Sequence, residues 1–261
     1  MASPFSNLLA ASALAAALLL GPAPAAVGAP PLKALLFVGG GYHDYATLGP
    51  HLSSKLSGLA NVTFTLRETF ESLHNPRFAD GFDVVVYDWC FDEAPDDVLD
   101  NALKVAAAGK PTVMIHCAVH AFRKSPRISE WETCCGMRSK VHDRFEPFST
   151  VKLDPGSPIT LHFPESWSTP GDELYQTISI QPESHPLLRV KSPQDGREHV
   201  VCWTYQYHSG RVFSTTLGHD MKTAASADYL RLLSNGLLWA CGKLRPDGTP
   251  AAGYGPSTPV K

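Results

Sequence analysis

The sequence has no run of basic residues. Its 22 Lys and Arg stand against 25 Asp and Glu, for a formal net charge of −3. Without concentrated positive charge, neither a nucleic-acid groove nor a polybasic membrane patch is expected. No G-x-G-x-x-G follows a strand, although Gly39-Gly40-Gly41 ends the first one, so a nicotinamide site is not expected. There is no H-E-x-x-H, no C-x-x-C and no internal repeat. The six cysteines, Cys90, Cys117, Cys134, Cys135, Cys202 and Cys241, lack the dense spacing of a disulfide-stapled mini-protein. Most of them read as small buried hydrophobes.

What is present is ordinary globular material: 261 residues, 44% hydrophobic and 18% charged, enough for one sizeable domain. Residues 1–29 stand apart from it. Leu8 to Leu20 form an apolar stretch too short to span a bilayer comfortably. Ala23-Pro24-Ala25 and Val27-Gly28-Ala29 offer small-residue cleavage sites. The reading is a signal peptide on an exported (periplasmic or secreted) protein with no stable membrane span after its removal, although Lys and Arg are missing ahead of the apolar stretch. From Arg245 to Lys261 the chain is rich in Pro, Gly, Ser and Thr, which predicts a disordered tail. The folded domain is expected over residues 32–244.

Hydrophobic periodicity organises that domain. Leu35 to Val38 reads as a strand, Tyr45 to Leu56 as a helix, and Val62 to Arg67 and Phe82 to Asp88 as strands. Ala94 to Ala108 reads as a helix stopped by Gly109, and an apolar, β-branched run from Pro111 ends in His116, Cys117 and His120. This alternation predicts an α/β fold with a mostly parallel central sheet and helices on both faces. Farther on, Ile128 to Cys135 suggests a short helix, Lys140 to Asp143 a polar loop, and Ser149 to Leu153 a strand. Residues 157–175 form a turn-rich, acidic segment of the kind that carries function. Val200 to Tyr207 and Arg211 to Leu217 predict a hairpin turned at Ser209-Gly210 along the sheet edge. Ala225 to Trp239 predicts a helix interrupted at Asn235-Gly236.

Ligands of open α/β sheets sit beyond the carboxyl ends of the strands, and His43, His116 and His219 each follow a predicted strand. Imidazoles there suit general acid–base chemistry near neutral pH. His116 and His120 also have the H-x-x-x-H spacing that places two imidazoles on one helix face. With His142 they are the candidate ligands of zinc or another divalent metal, His43 and His219 being alternative third ligands. No motif demands a cofactor. Cys117 is a candidate nucleophile, the turn leaving open whether His116 or Cys117 occupies the strand-to-helix elbow.

Several stretches are similar to one family. Asp172-Glu173-Leu174-Tyr175 follows Pro158-Ile159-Thr160, and Gly210-Arg211-Val212-Phe213 leads to Leu217-Gly218-His219-Asp220. With Ile115-His116-Cys117-Ala118 and Trp203, these resemble the ThuA-like family of trehalose utilisation. The resemblance implies a flavodoxin-like, class I glutamine amidotransferase-like fold. It also implies a role in utilising trehalose or related disaccharides and 3-keto-glycosides, and zinc in some relatives. His116, His219 and Glu173 are then the expected catalytic residues of a sugar-acting hydrolase or lyase, with His43, Asp88, Trp89, Tyr175 and Asp220 binding substrate. Two alternatives stay open: a non-catalytic carbohydrate-binding protein on the same fold, and a zinc-dependent hydrolase. The expected partners are a small-molecule carbohydrate and a second copy of the chain in a homo-oligomer. The chain departs from the family at Ser157-Pro158, where members often carry His-Pro; His162 lies nearby. It lacks G-x-C-x-G-x-Q around Cys117 and a late His-x-Glu, which argues against glutaminase activity.

Overall fold

The computed structural model describes residues 28–256, so most of the expected signal segment lies outside the described residues. Eleven strands are formed: β1 (Leu32–Gly40), β2 (Val62–Arg67), β3 (Val84–Cys90), β4 (Thr112–Ile115), β5 (Met137–His142), β6 (Ser149–Lys152), β7 (Ser166–Ser168), β8 (Tyr175–Ile180), β9 (His185–Lys191), β10 (Glu198–Tyr207) and β11 (Gly210–Thr215). Nine of them make one sheet in the order β2-β1-β3-β4-β11-β10-β9-β6-β7. The half from β2 to β11 is parallel. The half from β10 to β7 is antiparallel. The remaining pair, β5 and β8, forms a separate antiparallel ribbon.

Strand alternation explains the layers. In β1, Ala34, Leu36 and Val38 face one core, whereas Leu35 and Phe37 face the other. The first core is closed by α1 (Tyr45–Leu59) and, beyond α2 (Asp96–Ala107), α3 (Ile128–Cys135) and the single turn α4 (Met221–Ala224), by α5 (Ala227–Ala240). The second is closed by α2 and α3. Helices therefore cover both faces of an α/β sheet, the arrangement that the alternating pattern predicts. Among the described residues, no helix is long and apolar enough to cross a membrane.

Four features differ from the sequence reading. The β10–β11 hairpin lies inside the sheet: β11 pairs with β4, while β9 continues the sheet beyond β10. Its turn residues are His208 and Ser209, with His208 at φ 51°. The helix α5 runs unbroken through Asn235-Gly236. Gly236 is needed there for close approach, since a Cβ would lie 2.3 Å from the Phe213 ring on β11. Lys140 to His142 is strand rather than loop, because β8 supplies its hydrogen-bond partners. Finally, residues 245–256 are not a free tail. The Asn61 amide N–H donates to the Tyr254 carbonyl, the Asn61 side chain donates to Gly253, and Ala251 bonds back to Lys243. Backbone bonding of this kind orders a Pro/Gly segment that composition alone marks as disordered. Residues 257–261 lie outside the described residues.

Candidate active site

Parallel strands β1, β4 and β11 deliver three histidines to one edge. At the end of β1, the chain passes Gly40 at φ 87°, where a Cβ would lie 2.4 Å from the Cys90 carbonyl, and then turns back to His43. Beyond β4, it enters a 3-10 helix over His116–His120. Beyond β11, Gly218 precedes His219. The imidazole centroids of His43 and His116 are 4.7 Å apart, those of His43 and His219 4.8 Å, and those of His116 and His219 5.4 Å. One ring nitrogen of each lies within 4.8 Å of the other two.

His116, not Cys117, occupies the elbow. It holds φ 47°, left-handed and unusual for a non-glycine residue, and such strain gathers at functional sites. Its Nδ1–H donates to the Thr216 carbonyl at 2.6 Å, which aims Nε2 at the Glu173 Oε2, 3.6 Å away, with the Tyr175 hydroxyl 3.4 Å away. Cys117 is bonded to Cys90 in a disulfide, so it is no free nucleophile in this state. Cys117→Ser is expected to keep most of the turnover per folded molecule, measured against circular dichroism. Abolished turnover in a folded variant would restore the thiol to the chemistry.

Glu173 sits between the histidines. Oε2 lies 3.2 Å from His219 Nδ1, outside hydrogen-bond geometry, and Oε1 lies 3.7 Å from His142 Nε2. Burial opposes the Glu173 charge, but the neighbouring His116 and His219 outweigh it and hold the carboxyl well below its usual range. Burial likewise opposes charge on His116, yet Glu173, Asp172 and the Thr216 carbonyl raise its pKa above the ordinary imidazole value. His43 goes the other way: burial, then the positive neighbours His116 and His219, bring it down to about 3. The cluster thus sets an imidazole whose cationic form is favoured beside a carboxylate held anionic and an imidazole held neutral, the divergence that separates acid from acceptor roles.

Asp172 builds the frame, and nothing in the sequence reasoning singles it out. It is fully buried and accepts backbone N–H bonds from Glu173 at 2.9 Å, Gly218 at 2.8 Å and His219 at 3.1 Å. It therefore ties the loop carrying Glu173 to the turn carrying His219. The only available signal is its place beside Glu173 in the Asp-Glu-Leu-Tyr stretch. Arg123, Tyr42 and Phe145 likewise escape the sequence reading. Arg123 lies over the Tyr42 ring, and Phe145 packs 4.9 Å from His219. Exposed aromatic faces at the rim, 63% for Tyr42 and 40% for Phe145, offer stacking surfaces.

Of the other candidate residues, Tyr175 alone joins the cluster. Trp89 is fully buried among Phe37, Tyr87, Phe122 and Trp131; a large aromatic on a two-sided strand packs the core and cannot meet a substrate. Asp220 caps α4, accepting from Lys222 N at 2.9 Å. Tyr175 lines the cavity. The metal set His116, His120 and His142 is not gathered. The 3-10 turn replaces the helical face on which H-x-x-x-H depends; His120 stacks on Tyr175 at 3.9 Å and bonds Ser139, and the half-exposed His142 bonds its neighbour's carbonyl. The imidazoles that converge are His43, His116 and His219.

Asp88 is buried beneath the site, with Oδ2 lacking a partner, so it is not placed to bind substrate. Burial pushes its carboxyl up to about 7, against a smaller pull from His116. The folded state therefore holds a proton that the unfolded chain releases near its ordinary carboxylate value. Stability from this group is present below that value and is lost as pH rises through about 7. Urea midpoints between pH 4 and 8 (roughly the window between these values) should fall with pH in the native chain and fall less in Asp88→Asn. Parallel curves would show that Asp88 is not responsible.

The cavity over the cluster is small, about 100 Å³, and is lined by Tyr42, His43, Glu173, Tyr175 and His219 among others. Small-molecule sites run to roughly 300–1,000 Å³, so a ligand must extend into neighbouring space. A lobe of about 240 Å³ adjoins it through the shared His120 and Arg123. A larger cavity of about 410 Å³ lies between α5 and the C-terminal segment, away from the cluster.

The fold and motifs have counterparts. No curated protein matches the sequence. A ThuA-like protein from Parabacteroides merdae superposes with a TM-score of 0.70 at 21% identity, covering 85% of this chain and 97% of that one. A ThuA-like protein from Bacteroides uniformis gives 0.70 at 15% identity, covering 89% and 98%. A protein described as a GMP synthase subunit, from Thermoplasma acidophilum, gives 0.52 at 12% identity, covering 81% and 94%, a likeness of fold and not of function. The sequence profile of the ThuA family, described as trehalose utilisation, matches residues 33–240, and the chain belongs to that family.

Proposed function

We propose that this chain is an exported enzyme of disaccharide utilisation that cleaves a 3-keto-glycoside by proton transfer. The observation that carries this reading is Glu173 standing between His116 and His219, 3.6 Å and 3.2 Å from their ring nitrogens, at the carboxyl edge of the sheet. A ketone at C3 of a sugar acidifies the proton at C2. Removing that proton lets the glycosidic oxygen leave from C1 once it is protonated. His116, whose cationic form Glu173 favours, suits the acid role, its proton reaching the leaving oxygen through the Tyr175 hydroxyl, which lies 3.4 Å from Nε2 and lines the cavity. His219 suits the base, and neutral His43 accepts a hydroxyl hydrogen bond. Glu173 remains ionised throughout and holds both imidazoles in place.

A bound metal is a second reading with its own support. Both ring nitrogens of His43 and Nδ1 of His219 lack hydrogen-bond partners, and the His116 Nδ1–H donated to a backbone carbonyl is how metal-binding histidines are commonly oriented. His43, His116 and His219 would then hold a divalent ion such as zinc, which supplies Lewis acidity when bound. Purified protein, with metal content measured, should be assayed against trehalose and its 3-keto form with and without prior chelation. Cleavage of the keto form alone, unchanged by chelation, is the expected result. Loss on chelation with recovery on adding zinc selects the metal reading. Tight sugar binding without turnover would replace both with a carbohydrate-binding protein.

A further inference from the structure

A second group of donors lies behind the first. Cys90, at the end of β3, and Cys117, just past β4, bring their sulfurs together with a ring nitrogen of His43, all within 4.8 Å of one another. Arg123 Nη2 lies 2.8 Å from Cys90 Sγ and 3.3 Å from Cys117 Sγ. Both ring nitrogens of His43 are buried without hydrogen-bond partners. Cys117 lines the cavity over the histidine cluster. We propose that Cys90 and Cys117, once reduced, form with His43 a binding site for a soft monovalent cation, Cu(I).

Ligand chemistry and charge select the ion. Thiolates favour soft cations, Cu(I) foremost. A guanidinium against both sulfurs stabilises thiolates and supplies one positive charge. Two thiolates, Arg123 and one monovalent ion are neutral together, whereas a divalent ion leaves a buried positive charge, which is costly. A small dithiol is the reductant. Its two thiols are oxidised to a disulfide while the Cys90–Cys117 bond is reduced to two thiols. Cu(I) binding then displaces two protons, one from each sulfur. No redox change of the metal is involved. The inference does not rest on the proposed sugar chemistry, because its readout is metal binding.

The test uses the full chain, reduced with a dithiol, desalted without oxygen and titrated with Cu(I) against a chromogenic Cu(I) chelator. One Cu(I) per reduced chain and none per disulfide-bonded chain are expected. Cys90→Ser, Cys117→Ser and His43→Ala should each weaken binding by about a hundredfold or more, whereas His116→Ala and His219→Ala should leave it unchanged. X-ray absorption at the copper edge of the unmutated chain should show two sulfurs and one nitrogen, which keeps the test decisive if a cysteine variant fails to fold. Binding that survives loss of either cysteine, binding lost equally in His116→Ala, or no binding by the reduced chain would overturn the proposal.

Discussion

Glu173→Gln is expected to lower turnover by about a hundredfold or more, the scale of acid–base groups, with the protein still folded. The substitution keeps size and one carbonyl oxygen but removes the charge facing His116 and His219. Without it, His116 loses a main support of its cationic form, and burial is then opposed only by Asp172 and the Thr216 carbonyl. Its pKa then falls. Because the proposed acid is the protonated imidazole, activity disappears as pH rises through that pKa, so the alkaline limb of the rate profile should move to lower pH. A merely structural Glu173 would lower the rate at every pH without moving the limb. Combining Glu173→Gln with His219→Ala should cost much less than the product of the two single effects, since both disable one unit. Independent, multiplying losses would mean that Glu173 and His219 act separately. His116→Ala should also cost about a hundredfold or more in turnover. It is a less clean probe, because His116 is itself buried and its removal leaves a void.

The legible parts of the chain are those whose physics is local. Leu36 and Val38 alternate with Leu35 and Phe37 across a two-sided strand, and such runs announce themselves in any order-of-elements reading. The βαβ rule then places strand ends side by side, which is why the sequence alone gathers His43, His116 and His219. Short strands whose stability comes from distant partners are not legible. Tyr175 to Ile180 pairs with Met137 to His142 and buries only Tyr175 fully; neither segment carries a strong pattern of its own. The same holds for His185 to Lys191, a strand only because β10 and β6 flank it. Trp89 misleads because a tryptophan beside Asp88 at a strand's end resembles a cleft residue, whereas alternation turns it into the second core. The metal spacing misleads because H-x-x-x-H presumes an α-helix, and the elbow at His116 starts a 3-10 turn instead. In the sequence, Cys90 reads as a small hydrophobe and Cys117 as a candidate nucleophile, with nothing to pair them. Their contact depends on β3 lying beside β4, a tertiary fact that a separation of 27 residues does not reveal.

Asp172→Ala should produce the largest loss of stability among substitutions at the site, about 3–5 kcal/mol. Three backbone N–H groups, from Glu173, Gly218 and His219, converge on this one carboxylate in a fully buried position. Alanine leaves all three without an acceptor, and each unsatisfied buried donor costs about 1–3 kcal/mol, less what relaxation and entering water recover. His116 also loses a carboxylate 3.9 Å from Nδ1. Asp172→Asn probes the same frame more gently. Its carbonyl can serve the donors on one oxygen, but its amide N–H₂ must face a backbone N–H on the other, so it should fall between the native chain and alanine. Denaturation in urea measures the stability, and turnover measured on the folded fraction measures the frame. Asp172→Ala should lose both, because the carboxylate that holds the fold there also fixes His219 and Glu173 relative to each other. Glu173→Gln, one residue along, should lose turnover alone. If Asp172→Ala were as stable as the native chain, the three bonds would have ready replacements in water, and the loop over residues 171–175 could not be what holds the histidines together.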